Sequence, residues 1–143
     1  MDSSGSLGVR AFPASDASLL AWSCAVRGPE GTPWAGRAVP LLLRFCGPWP
    51  ISPPLLFVLP PIPVHPNVDA TTGAVCMDLL QEQWSPAGGV AAVLLSVQSL
   101  LASPTVDDAS SLPANMEAAH RLLTEPAEYA RINEERAAAM NAW

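Results

Sequence analysis

The sequence predicts an α+β fold in which a four-stranded antiparallel meander sheet precedes an irregular segment and then helices. Three observations predict it. Short apolar, β-friendly runs recur through residues 9–59, each closed by a turn rich in glycine or proline. None of the connections is long enough for the crossover that parallel strands require. After Pro86 the apolar residues change to helical spacing. A chain of 143 residues is the size of one domain and can bury a core without disulfide or metal.

Residues 1–8 are small and polar and read as a disordered tail, leaving 9–143 as the domain. The first strand is expected at 9–12, ended by Pro13, and the second at 19–26, followed by the turn-rich Arg27-Gly-Pro-Glu-Gly-Thr-Pro. The third, at 39–45, is a continuous apolar run and is expected to be buried on both faces. Gly47-Pro-Trp-Pro-Ile-Ser-Pro-Pro is a rigid corner, because its prolines fix φ and remove amide donors. The fourth strand is expected at 55–59, and Pro60, Pro61 and Pro63 then forbid regular structure.

Val90, Val93, Leu94, Val97, Leu100 and Leu101 fall on one helical face, so the first helix is expected at 87–102, with Pro86 suited to its start and Pro104 stopping it. Residues 103–111 read as a polar loop. Two more helices are expected at 112–123 and 126–142, separated by Pro126 and, in the second case, rich in Ala, Glu and Arg.

Composition excludes several classes. No apolar run approaches the about 18 residues of a membrane span, and no basic segment followed by an apolar one opens the chain. The expectation is an intracellular chain, cytoplasmic or nuclear, without membrane insertion. A net charge of −6 leaves no electrostatic footprint for nucleic acid. Cys24, Cys46 and Cys76 are an odd number without Cys-x-x-Cys spacing, which argues against a disulfide framework and a structural metal. All 7 basic residues are arginine. A GC-rich genome accounts for that, together with the Ala and Pro content; a protein carrying an amine-reactive group would also gain from offering no lysine of its own.

Residues 63–86 hold the most specific pattern: His65-Pro-Asn, a Thr-Gly turn, Cys76 with Asp78 two places later, and Trp84-Ser-Pro opening the apolar helix. With Trp22, Gly28-Pro29, Trp34-Ala-Gly, Trp49-Pro-Ile-Ser-Pro-Pro and Asp107-Asp108 at matching spacing, the chain resembles the ubiquitin-conjugating enzymes, the E2 family, from Trp22 to the C-terminus. The resemblance implies the UBC-like fold and an acyltransferase. Ubiquitin or a ubiquitin-like protein is taken from the activating enzyme E1 as a thioester and passed to an amine, usually lysine, with a RING or HECT E3 ligase. It implies no cofactor, since E1 consumes the ATP.

Under the resemblance Cys76 is the nucleophile, a role its flanking motif favours over that of a buried cysteine; Asp78 beside it would oppose ionisation. Cys24 and Cys46 read as structural. Asn67 is implied to stabilise the oxyanion or to hold the loop that does so, because a side-chain amide donates without ionising. Asp108 is implied to orient the acceptor lysine, with Asp78 a lesser candidate. His65 and Pro66 are implied to be structural in the active-site loop, against a Cys–His hydrolase reading. Ile51, Pro86 and Ala87 fall where the family meets E3 ligases, and Ile51 replaces a large aromatic. His120 has no ligand partner at useful spacing.

Two departures shape the expectation. Residues 1–8 show no apolar periodicity where the family has an amphipathic helix that helps to bind E1, so impaired charging is implied. The rival from another class is a non-catalytic module that binds ubiquitin or another E2. Asn67 and Cys76 also stand one residue farther apart than usual, and the longer Thr-Gly turn resembles the peroxisome-associated branch, which adds the peroxisome surface to the expected locations.

Overall fold

The computed structural model describes residues 8–15, 18–45, 47, 48, 51–75, 89–104 and 114–143. Four strands, β1 (Val9–Ser15), β2 (Ser18–Arg27), β3 (Ala38–Arg44) and β4 (Leu55–Val58), form one antiparallel sheet in chain order. Short connections leave no other arrangement. The register aligns Ala11, Cys24, Leu41 and Val58 across the sheet, and Val9, Val26 and Val39 in a parallel row. All of these side chains are buried, so one sheet face is the floor of the core.

Helix α1 (Gly89–Ala102) closes that core, packing against β1 and β2 with Val93, Leu94, Val97 and Leu101 buried. Helices α2 (Met116–Thr124) and α3 (Pro126–Ala137) pack on each other. Asn115 caps α2, its side chain accepting from Ala118 N–H at 3.0 Å, which satisfies one of the orphan donors of the first turn. Pro126 opens α3, where its missing donor costs nothing. Among the described residues no helix is long and apolar enough to cross a membrane.

Three sequence expectations are corrected. β1 does not end at Pro13 but runs to Ser15 through a register shift; β1 is a sheet edge, where a residue without an N–H is tolerated. β3 is not buried on both faces. Val39, Leu41 and Leu43 are buried while Ala38, Pro40 and Leu42 on the other face are half-buried, the alternation of a sheet covered on one side. Pro40 also ends the β3–β4 ladder. Its carbonyl accepts from Leu59 N–H at 2.9 Å, so its donorless nitrogen lies on the β4 side, one pair beyond Val58.

Third, α3 stops at Ala137 rather than 142, because the last residues return to the sheet. Asn141 carbonyl accepts from Ala38 N–H at 2.7 Å, Met140 carbonyl from the Arg37 guanidinium at 3.1 Å, and Trp143 N–H donates to Gly36 at 3.0 Å. The Trp143 ring lies under the Arg10 guanidinium, 3.8 Å from its carbon. Of the predicted tail, Gly8 is buried and its carbonyl accepts from Arg27 N–H at 2.8 Å. Residues 1–7 lie outside the described residues.

Candidate functional site

Beyond β4 the proline-rich stretch pairs with no strand among the described residues, so its backbone groups must be satisfied from elsewhere. Each of the three helices among the described residues supplies a partner to residues 62–67, α2 through its cap residue Asn115. From α3, the Asn133 side chain makes two bonds to one residue: Oδ1 accepts from Val64 N–H at 2.8 Å and Nδ2 donates to Val64 carbonyl at 2.8 Å. One turn on, Arg136 Nη1 donates to Ile62 carbonyl at 2.6 Å. From the start of α2, Asn115 N–H donates to Pro66 carbonyl at 3.0 Å. From α1, Leu100 carbonyl lies 2.8 Å from His65 Nε2.

His65 is 1% exposed and has both ring nitrogens engaged. Nδ1 accepts the N–H of Asn67 at 3.0 Å, which leaves Nε2 as the protonated nitrogen that donates to Leu100. Its ring stands 6.3 Å from that of buried Trp34. Burial lowers its pKa to about 4, despite the opposing Leu100 bond, so the ring is neutral at physiological pH. With no free nitrogen, it is not available as the base of a Cys–His pair.

Asn67, 3% exposed, is followed by a hairpin that turns the chain back on itself. Val68 and Val75 form an antiparallel bridge, both buried, and Phe57 bridges Ala74. Asp69 builds the turn between them. Its Oδ1 accepts from Thr71 and Thr72 N–H at 2.9 and 2.8 Å, its N–H donates to Ala74 carbonyl, and its carbonyl accepts from Gly73. The Thr72 and Thr71 amides hold this carboxyl below the usual aspartate range, in that order. The longer Thr-Gly turn is therefore a closed Asx-type structure at the surface. Gly73 is at φ +78°, and a Cβ there would lie 2.1 Å from Val58 carbonyl, so the hairpin meets β4 backbone to backbone.

A cleft of about 200 Å³ lies between the segment and the two last helices, lined among others by Val64, Ala70, Asn115, Ile132 and Arg136. Among the described residues no group of three or more His, Cys, Asp or Glu side chains is placed to hold a metal ion.

Of the residues singled out from the sequence, His65, Pro66 and Asn67 are brought together and buried, whereas Ile51 is separate and 74% exposed. Cys76, Asp78, Pro86, Ala87 and Asp108 lie outside the described residues, as does Cys46. Val75, the residue before Cys76, is bridged to Val68, the residue after Asn67. Cys24 is a core residue of β2, its thiol pushed up to about 12 by burial, and His120 is on the exposed side of α2. Asn133, Arg136, Asn115 and Asp69 were not singled out. Asn133 carried a signal, a polar residue at the centre of the Tyr129, Asn133, Ala137 face of α3, all three buried.

Comparison with known proteins gives one result. The family model described as "Ubiquitin-conjugating enzyme" matches residues 1–137. The chain is 42% identical over 116 residues to "Ubiquitin-conjugating enzyme E2 3" of Arabidopsis thaliana, covering 81% of this chain and 73% of that one. It is 38% identical over 125 residues to "Ubiquitin-conjugating enzyme E2-20 kDa" of Schizosaccharomyces pombe, covering 87% and 68%. Among solved structures, the E2 domain of a Toxoplasma gondii ubiquitin conjugating enzyme superposes with a TM-score of 0.81 at 29% identity, over 95% of this chain and 90% of that one.

Proposed function

The chain belongs to the ubiquitin-conjugating enzyme family, a family of transferases, and on that premise we propose that it carries ubiquitin, or a ubiquitin-like protein, as a thioester on Cys76 and passes it to an amine. The observation that supports this reading is the Val68–Val75 bridge, whose outward chain neighbours are Asn67 and Cys76. The bridge pairs the residue that follows Asn67 in the chain with the residue that precedes Cys76, and both bridged residues are buried.

In the first step the Cys76 thiolate attacks the thioester carbonyl held on E1; a new C–S bond forms, the E1 thiolate leaves, and one thioester replaces another. In the second the nitrogen of an acceptor amine attacks the same carbonyl. The C–N bond forms, the C–S bond breaks, Cys76 regains its thiolate and the amine gives up a proton. Negative charge gathers on the carbonyl oxygen between these events, and the Asn67 amide is the group proposed to meet it. Asp108, and secondarily Asp78, would orient the amine and favour loss of its proton. Ile51, with Pro86 and Ala87, is the proposed contact for a RING or HECT ligase.

The test is incubation with E1, ATP and ubiquitin, followed by reducing and non-reducing gels. The reading predicts a band heavier by one ubiquitin that reductant removes and that resists reductant in Cys76→Ser, where an oxyester replaces the thioester. Absence of any such band from the unaltered chain would contradict it.

A further inference from the structure

Helix α3 holds the backbone of residues 62–64 by side chains alone. Asn133 is 0% exposed and uses both ends of its amide on Val64, in the manner of a neighbouring strand, while Arg136 takes the carbonyl of Ile62. Val64 and Arg136 border the cleft, so at Val64 the two Asn133 bonds add to the apolar packing that the flanking Ile62 and buried Pro63 supply. The residue after Val64 is His65, whose Nδ1 holds the N–H of Asn67. Two hydrogen-bonded links, Asn133 to Val64 and His65 to Asn67, are thus joined by the Val64–His65 peptide bond into one path from α3 to Asn67.

We propose that Asn133 and Arg136 are positioning residues for the transfer step, setting where Asn67 stands when an amine attacks the thioester; the inference rests on the reading of Cys76 given above. Neither residue touches the reacting atoms. Both steps place negative charge on the carbonyl oxygen, but the demand for placement differs. In charging the leaving group is a good one, a thiolate exchanged for a thiolate on a carbonyl that E1 also holds, whereas in aminolysis a neutral amine must attack a carbonyl held by this chain, with Asn67 at hydrogen-bond distance from its oxygen. Loosening the segment should therefore slow discharge more than charging.

The experiment compares the unaltered chain with Asn133→Leu, which keeps the volume and removes both bonds, and with Arg136→Met, an exposed change that keeps the stem and leaves the core intact. Val26→Ala, a β2 core change away from the segment, serves as a control for lowered stability. Each is charged with E1, ATP and ubiquitin, the ATP is then removed, and discharge to free lysine is timed. Hydrogen exchange of the Asn67 amide is followed on the uncharged chains.

Asn133→Leu is expected to slow discharge at least tenfold and Arg136→Met about threefold, with charging rates within twofold of the unaltered chain. Asn67 exchange should accelerate in both while β3 amides keep their protection. If Asn133→Leu does not fold, Arg136→Met decides by the same readouts. Discharge and charging that fall together, as in Val26→Ala, or discharge that does not change, would overturn the inference and leave the Cys76 reading standing. Failure of the unaltered chain to charge would overturn both.

Discussion

Protonation of His65 would break one of its two hydrogen bonds and place a charge among buried residues. A charged ring would turn Nδ1 into a donor facing the Asn67 N–H it now accepts from. Its folded-state pKa of about 4 lies below the unfolded value near 6.5, so between these two pH values the unfolded chain binds more protons than the folded one. Stability from this residue is complete above about pH 6.5 and is lost as pH falls toward the folded value. Chemical denaturation at pH 7 and pH 5 should differ by about 2 kcal/mol from this group alone, and a His65→Asn variant should show a flatter pH profile. A second prediction concerns Asn67. Replacing it by alanine should slow discharge of the charged chain to lysine by about 100-fold, the usual loss for one oxyanion donor, when followed under single-turnover conditions.

The 68–75 hairpin is the element that connects the sheet to the candidate nucleophile, and its weak point is Gly73. Alanine there must hold φ near +78° and push against Val58 carbonyl, while Gly73 carbonyl keeps its 2.8 Å bond to Val58 N–H. We expect Gly73→Ala to cost roughly 2 kcal/mol or more, read as a lower urea midpoint at unchanged slope. Elements of this kind were only partly legible in the sequence. Strand order and the change to helical spacing were, because turn residues and apolar period are local signals. The burial of β3 was not, since an unbroken apolar run does not say which side is covered, and Pro40 and Leu42 turned out to face away from the core. His65 and Asn67 were visible as a motif. Asn133 was invisible as a partner because Val64 is 69 residues away, and only the packing of α3 on the segment brings them together.

Over the whole molecule, the hairpin meets β4 backbone to backbone, and the three helices among the described residues hold residues 62–67 by separate hydrogen bonds. Charged pairs contribute little to this arrangement. Arg131 bonds Glu128 at 2.6 Å and Glu135 at 3.3 Å on the exposed side of α3, where solvent screens such pairs. The absence of lysine among the 143 residues means that a charged chain offers no internal ε-amine to its own thioester. Three cysteines are present, and the account assigns the thioester to one of them. The most direct measurement is intact-mass spectrometry of the unaltered chain and of Cys24→Ala, Cys46→Ala and Cys76→Ala after incubation with E1, ATP and ubiquitin. The account predicts one reductant-labile ubiquitin on every chain except Cys76→Ala; an adduct that survives in Cys76→Ala, or that disappears only with Cys24 or Cys46, would contradict it.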